Sequence, residues 1–333
     1  MSKIVRVGLV GYGRVGRTFA QLVRSQREAL LASIEVDPRL VLIRRSATQA
    51  EPGGMVGDLA WTEAEPLSDA VTRLGIDVVV QAVPSSAALV QAARDQTLDA
   101  MRSGANVVTA TKSHLVEYWP DLGDAAIAAG RSLRISAATG AALPAADLCR
   151  RGFRAFPCRS FRASLNGTSN YVVGQLRRGL SLDDAIAEAV ARGICEPNPV
   201  DDISGRDAAM KLVLLANLLW QPHHRLSDVV VDRIDGDELR ELVAEAERQD
   251  LVLCSVAKAD GDTSPALRVG HAMLPPSDPL ARLRGAEKAV EFDLGLGGTA
   301  MVSGGASSPE GAGLALLKDV ANLATGDGGL GFA

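Results

Sequence analysis

Four cysteines occur in 333 residues, and they are scattered. Cys149, Cys158, Cys195 and Cys254 show no C-x-x-C spacing, so neither a disulfide framework nor a zinc site is indicated. No uncharged apolar run reaches the roughly 18 residues that a membrane span requires. The opening MSKIVRVGLVG has no charged n-region followed by an apolar core and a cleavage site, so it does not read as a signal peptide. There is no basic excess either: 35 Lys and Arg stand against 40 Asp and Glu, a net charge of −5 with a pI near 5.5. That balance argues against an extended nucleic-acid surface and against an anionic membrane as partner, while leaving room for a local phosphate pocket. No internal repeat and no long disordered segment is visible. The expected compartment is the cytoplasm.

What is present is an ordinary globular composition, 47% hydrophobic and 23% charged, with length enough for two buried cores. Apolar β-rich runs at 4–10, 40–43, 77–83, 106–109 and 133–136 alternate with helical patterns such as 17–33. Strands alternating with helices predict parallel βαβ units. The stretch 47–67 reads as an irregular connection. After Pro144 the pattern changes. A strand is expected at 160–165 and a turn at Asn166-Gly167. Ser181 should open a helix over 182–192 that stops at Gly193, and another helix is expected over 205–220. Short β-like runs then continue to about Val302. A glycine-rich stretch, 304–313, precedes a terminal helix over 314–324.

Gly11-Tyr12-Gly13-Arg14-Val15-Gly16 is G-x-G-x-x-G, set between an apolar strand and a helix. Alone the pattern is weak. In that context the first glycine makes the tight turn, the second admits the pyrophosphate, and the third allows helix–strand packing. The helix N-terminus, with Arg14 and Val15, adds N–H donors and a positive dipole. The fold class is therefore α/β, an N-terminal Rossmann-type doubly wound parallel sheet followed by a second α/β domain. An NAD site usually carries an acid at the end of the second strand, and none stands here. The strand ends Ile43-Arg44-Arg45-Ser46. Two guanidiniums suit a 2′-phosphate, so NADP is expected, with NAD still usable. The competing reading is two solvated strand-end charges.

In Ser204–Trp220, Ser204 is a candidate N-cap and Asp207 lies in the first turn. Asp207 and Lys211 stand at i,i+4, which on an exposed face would be a plain surface pair. Here Lys211 shares its face with Leu214, Leu215 and Leu218, and the helix is apolar nearly all round. A lysine so placed needs a partner, and Asp207 supplies one. The residues alone leave two readings open, a proton-transfer group and a structural ion pair. Upstream, Glu196, Asp201 and Asp202 gather in a Pro-rich approach, either a solvated acidic loop or a holder for an ammonium group.

This stretch resembles homoserine dehydrogenases, whose motif G-Y-A-E-x-D-P-x-x-D-x-x-G-x-D-A-x-x-K it matches at Gly193, Glu196, Pro199, Asp202, Gly205, Asp207, Ala208 and Lys211. Val108–Lys112 resembles the family's V-T-A-N-K, and Leu165–Tyr171 its L-N-G-T-T-N-Y. With the glycine fingerprint, four motifs occur in family order. The resemblance implies hydride transfer between a nicotinamide and L-homoserine or aspartate 4-semialdehyde. It makes Lys211 the acid/base with Asp207 beside it. Glu196 and Asp202 would hold the substrate ammonium, and Lys112 would sit between cofactor and substrate. It also implies domains of 1–140 and 141–302, a return of the C-terminal segment (about 303–333) to the first, Gly305 as a cofactor contact, and a homodimer through the second domain.

Some positions depart from the family. Ile194 replaces Tyr, Asn198 replaces Asp, and Ser303–Ser307 replaces G-P-G-A-G. Ser136 stands where the family carries a Glu in a segment that binds a monovalent cation. A cation site here is expected to be weak or absent, with backbone carbonyls near Thr139, Ala141 and Leu143 as its remaining ligands. The departures keep two alternatives in view, a paralogue acting on another amino-acid-like alcohol or aldehyde and a non-catalytic NADP-binding sensor.

Overall fold

The computed structural model describes residues 2–52, 59–153, 157–195, 203–220, 223–232, 236–261, 267–305, 308–326 and 329–332. The chain divides into two compact units, 1–142 with 309–333, and 143–308.

The first unit begins with β1 (Lys3–Val10), whose last four residues are buried, and α1 (Arg14–Ile34), which ends at Glu35 in a left-handed cap. There follow β2 (Val36–Arg44), β3 (Thr48–Ala50), β4 (Thr62–Glu63), α2 (Leu67–Leu74), β5 (Val78–Gln81), α3 (Val90–Arg102), β6 (Asn106–Thr109), α4 (Ser113–Glu117), α5 (Trp119–Ala128), β7 (Leu133–Arg134) and α6 (Ser136–Thr139). The sheet order is β4-β3-β2-β1-β5-β6-β7. Pairs among β2, β1, β5, β6 and β7 are parallel, and β3 and β4 extend the edge antiparallel. Because β2 and β5 lie on opposite sides of β1, the chain reverses direction across the sheet there. That leaves a crevice beyond the carboxyl ends of β1 and β5, the place where such sheets bind ligands. β5 is buried at all four positions, as a strand covered on both faces must be.

The expected irregular connection at 47–67 thus contains two short strands. Their two or three residues are too few to show a period; β3 forms by pairing with the end of β2, and β4 by pairing with β3. The last expected strand also shortens: Ser136 already opens α6.

In the second unit, α7 (Ala145–Asp147) runs into a further helical turn, and β8 (Ser160–Ser164) follows. Asn166-Gly167 is not a free turn. The Asn166 side chain accepts from Ser169 N and caps α8 (Gly167–Leu176). Ser181 caps α9 (Leu182–Ala191) in the expected way. α10 (Arg206–Leu219) is capped by Gly205 rather than by Ser204. Gly205 takes φ +77°, and a Cβ there would press on Val231 and Val269. Beyond it come β9 (Val229–Val231), α11 (Gly236–Arg248), β10 (Val252–Asp260), β11 (Leu267–Leu274), β12 (Lys288–Asp293) and β13 (Thr299–Gly304). The amphipathic α11 lies within what reads from the sequence as β-like runs. The sheet order is β13-β12-β8-β10-β11-β9, antiparallel except for β11 with β9.

The chain re-enters the first unit as α12 (Pro309–Ala324), which is longer at its start than the expected 314–324. Gly313 lies inside this helix because a Cβ there would meet Leu22 and the backbone of α1. Leu316, Leu317, Val320 and Ala324 share one core with Val7, Leu9, Phe19 and Val80. No described helix is long and apolar enough to cross a membrane.

Candidate active site

The glycine loop sits at the end of β1, beside the crevice. Gly11 has φ +99°, and a Cβ on it would strike the Ala82 carbonyl. A Cβ on Gly16 would strike the Gly11 carbonyl. These two positions exclude side chains for reasons of the fold. Gly13 differs: a Cβ there meets nothing within 4 Å, so open space lies over the N-terminus of α1. That terminus has no side-chain cap and no acid in its first turn. Uncapped N–H groups facing open space fit a pyrophosphate, so the residues suit a dinucleotide.

At the end of β2 the two arginines are engaged differently. Arg44 donates to the Glu65 carbonyl at 2.7 Å, and its half-buried guanidinium is held below the ordinary arginine pKa by desolvation, which Glu65 partly offsets. Arg45 is exposed, with its guanidinium 3.8 Å from the Trp61 ring centroid and 5.8 Å from that of Tyr12. Such stacking fixes a cation while leaving its N–H edge open. Trp61 gives no signal in the sequence, because it reaches Arg45 only through the β3–β4 pairing.

Behind the loop, Thr109 Oγ1 donates to Gln81 Oε1 at 3.0 Å, and Gln81 Nε2 donates to the Ala93 carbonyl at 2.9 Å. Thr111 Oγ1 bonds the Val83 carbonyl at 2.8 Å. Lys112 N bonds Ser85 Oγ at 2.8 Å, so the half-buried Lys112 starts from a fixed backbone. Two residues on, the wholly buried His114 has Thr97 Oγ1, 3.3 Å from Nε2, as its one polar side-chain partner among the described residues, and burial pulls its pKa from 6.5 down to about 3. The unfolded chain therefore binds a proton between those values that the folded chain refuses. Stability should fall as pH drops through that window, by on the order of 1.4 kcal/mol per pH unit. Tm measured from pH 7 to pH 4 should decline less steeply in His114→Gln; equal slopes would assign the loss to other groups.

In the second unit, Lys211 and Asp207 meet on α10. Lys211 Nζ lies 2.5 Å from Asp207 Oδ2 and donates to the Leu165 carbonyl at 3.0 Å. Asn166 Nδ2 donates to the same carboxylate oxygen at 3.1 Å. Both charged side chains are about nine-tenths buried, with exposures of 12% and 11%. The apolar surroundings expected from the helix pattern are present, since Leu212 through Asn217 are all buried. An ammonium carries three N–H groups. Among the described residues two are used, which leaves one for a ligand oxygen. Asn166 and the Leu165 carbonyl belong to a motif visible in the sequence, but their part in holding the pair is visible only in three dimensions.

The homoserine dehydrogenase family model matches residues 144–321, more than half of the chain, and the NAD binding domain model of the same family matches residues 11–136. The chain belongs to the homoserine dehydrogenase family. A homoserine dehydrogenase of Methanocaldococcus jannaschii is 26% identical over 95% of this chain and 97% of its own. An NAD(+)-dependent homoserine dehydrogenase of Pseudomonas canavaninivorans is 25% identical over 96% of both. The crystal structure of a homoserine dehydrogenase from Thiobacillus denitrificans superimposes with a TM-score of 0.84 at 26% identity, covering 97% of this chain and 74% of that one. Homoserine dehydrogenases are NAD(P)-dependent oxidoreductases acting on a CH–OH group, and they act on small molecules.

Three sequence readings of homoserine dehydrogenase residues meet limits here. Glu196 and Asp202 lie outside the described residues, as do Asn198 and Pro199. Gly305 follows β13 in the second unit, and the residues directly after it are also outside. At Ser136 a carboxylate is present after all, supplied from α12. Ser136 Oγ donates to Asp319 Oδ1 at 2.8 Å, and Ser136 N bonds Oδ2 at 3.1 Å. That wholly buried carboxylate is already compensated, because Lys318 Nζ lies 3.2 Å from Oδ1 and 2.9 Å from Ser136 Oγ. Thr139 Oγ1 turns back to the Ser136 carbonyl at 3.1 Å, and Ala141 takes φ +52°. No group of three His, Cys, Asp or Glu suited to a metal occurs among the described residues.

Proposed function

We propose that the chain interconverts L-homoserine and L-aspartate 4-semialdehyde with NADP(H) as its preferred cofactor. The observation that carries this reading is the buried Lys211–Asp207 pair, with one ammonium N–H not taken by any described residue, in a chain of this family. When bound, the nicotinamide supplies or takes the hydride. In the reducing direction Lys211 donates a proton to the carbonyl oxygen as negative charge grows there; in the oxidising direction the amine takes the hydroxyl proton back. Asp207, held by Asn166, keeps the lysine aimed. Glu196 and Asp202 bind the substrate ammonium, and Lys112 stands between cofactor and substrate. The first unit holds the dinucleotide through Gly11–Gly16, with Gly305 closing on it, and the second unit pairs two subunits.

An initial-rate screen of NADP+ and NAD+ against L-homoserine and homologous amino alcohols tests the assignment. Robust homoserine turnover is expected. Turnover of a homologue alone would make the chain a paralogue, and cofactor binding with no turnover would make it a sensor.

NADP preference rests on Arg45, which is stacked with its N–H edge open, and on Arg44 beside it. Arg44→Gln with Arg45→Gln should weaken NADP(H) by roughly tenfold or more, the scale of a lost charge-assisted phosphate contact, and NAD(H) far less. Equal losses would show that these side chains do not read the extra phosphate.

A monovalent cation should not activate the enzyme, because the Lys318 ammonium already neutralises the carboxylate at Ser136. Sodium and potassium titrations at constant ionic strength should give flat rates. Saturable activation would contradict this.

A further inference from the structure

Away from the catalytic pair, the second unit holds a cavity of about 450 Å³ at the C-terminal end of α8. Arg177 and Arg178 line one wall, and Leu283, Arg284 and Gly285 line another. A smaller cavity shares Arg177, Leu283 and Gly285 with it and continues toward Cys254.

Three arginines from two chain segments thus line one space whose size is typical of small-molecule sites. The carboxylates around it are committed elsewhere. Glu188 pairs with Arg192 and Gln175. Asp278 and Glu291 are both held by Arg162, at 2.6 and 2.8 Å. Glu287 accepts from the Arg284 backbone N–H at 2.9 Å. Arg178 donates to Gln175 Oε1 at 3.3 Å. The Arg177 and Arg284 guanidiniums have no hydrogen bond or ion pair with any described residue. Like charges gather in one space at a cost unless an anion joins them. Two glycines keep the space open: a Cβ on Gly174 or on Gly285 would meet nothing within 4 Å.

We propose that this cavity binds a small polyanion, a compound with two or more carboxylate or phosphate groups, and that its occupancy reaches the catalytic pair through α8. The route is physical. The N-cap of that helix is Asn166, whose amide holds Asp207, and the carbonyl before it, at Leu165, holds Lys211. A ligand that draws the C-terminal turn of α8 toward residues 283–285 changes the seat of both groups. The inference goes beyond the assignment of homoserine as substrate, since binding is read with no substrate present.

Thermal shift and titration calorimetry on the full chain, with inorganic phosphate, pyrophosphate and citrate at constant ionic strength, provide the test. At least one anion is expected to bind with a Kd below about 1 mM, consistent with two or three charge-assisted hydrogen bonds. Two variants should weaken it about tenfold or more: Arg177→Gln with Arg284→Gln, which removes the charge, and Gly174→Leu, which fills the space and keeps every charge. Response to phosphates alone, or to citrate alone, supports the site and identifies the source of its anion. No binding at about 10 mM of any of the three would overturn the proposal, because two or three charge-assisted hydrogen bonds would hold an anion more tightly than that. Equal binding in both variants would also overturn it, since the anion would then sit elsewhere, for instance on the glycine loop. Initial rates at saturating anion should change in the unaltered chain and not in the Arg177→Gln, Arg284→Gln variant. A bound anion that leaves the rate unchanged would overturn the coupling through α8.

Discussion

Lys211→Ala is expected to lower kcat by roughly 10²-fold or more, the usual scale of lost acid–base catalysis. Cofactor affinity should change little, because the glycine loop and the Arg44–Arg45 pair belong to the other unit. Asp207→Asn should also lower kcat: it keeps the shape and the link to Asn166 but removes the charge that pairs with the ammonium. A purely structural pair makes a different demand. With Lys211 gone, Asp207 loses the ammonium it pairs with in a nearly closed space, and breaking a buried pair costs about 3–5 kcal/mol. Rates and Tm must therefore be measured on the same samples. A folded Lys211→Ala protein that binds cofactor but does not turn over supports proton transfer. Near-normal kcat in a folded sample would end that assignment.

The glycine loop gives the second large effect, and its two halves should separate. Gly13→Ala adds a methyl group that meets no protein atom, so Tm should hold. The same methyl enters the space over the helix N-terminus, and dinucleotide binding should weaken by about tenfold to a hundredfold, as expected when two or so backbone hydrogen bonds to a charged group are lost. Gly16→Ala drives a Cβ into the Gly11 carbonyl, so the turn itself must move. That variant should lose several degrees of Tm before any ligand is added, about the shift that 1 kcal/mol or more produces in a domain of this size. A Gly13→Ala protein with unchanged cofactor affinity would remove the loop from the binding site.

The glycine loop was readable because its constraint is local: six residues, a strand before and a helix after. The Asp207–Lys211 pair was readable because i,i+4 spacing on an apolar helix predicts both contact and burial. The partners that hold these groups were hidden, since their contacts join segments far apart in the chain. Asp319 reaches Ser136 across 183 residues, and Asn166 reaches Asp207 across 41. Ser136 alone suggested a lost carboxylate, and only the packing of α12 against α6 restores one. Two misread helix starts have a common cause. Ser204 has the chemistry of a cap but Gly205 has the conformation, whereas Asn166 looked like a turn residue and caps a helix instead. The strands β3 and β4 escaped notice because partners, not periodicity, make them strands.

The return of α12 also sets an order of events during synthesis. A ribosome delivers β1 to β7 first, yet Leu316, Leu317 and Val320, which fill the space against Val7, Leu9 and Phe19, emerge more than 160 residues after α6. Until then the nascent nucleotide sheet carries an open apolar face, while residues 143–308 can already fold as a body of their own. Contacts so distant in sequence close slowly, and an exposed apolar sheet invites association with other chains. A polypeptide stopped short of Pro309 should therefore call on chaperones and be cleaved by protease within 1–142 while the middle of the chain resists.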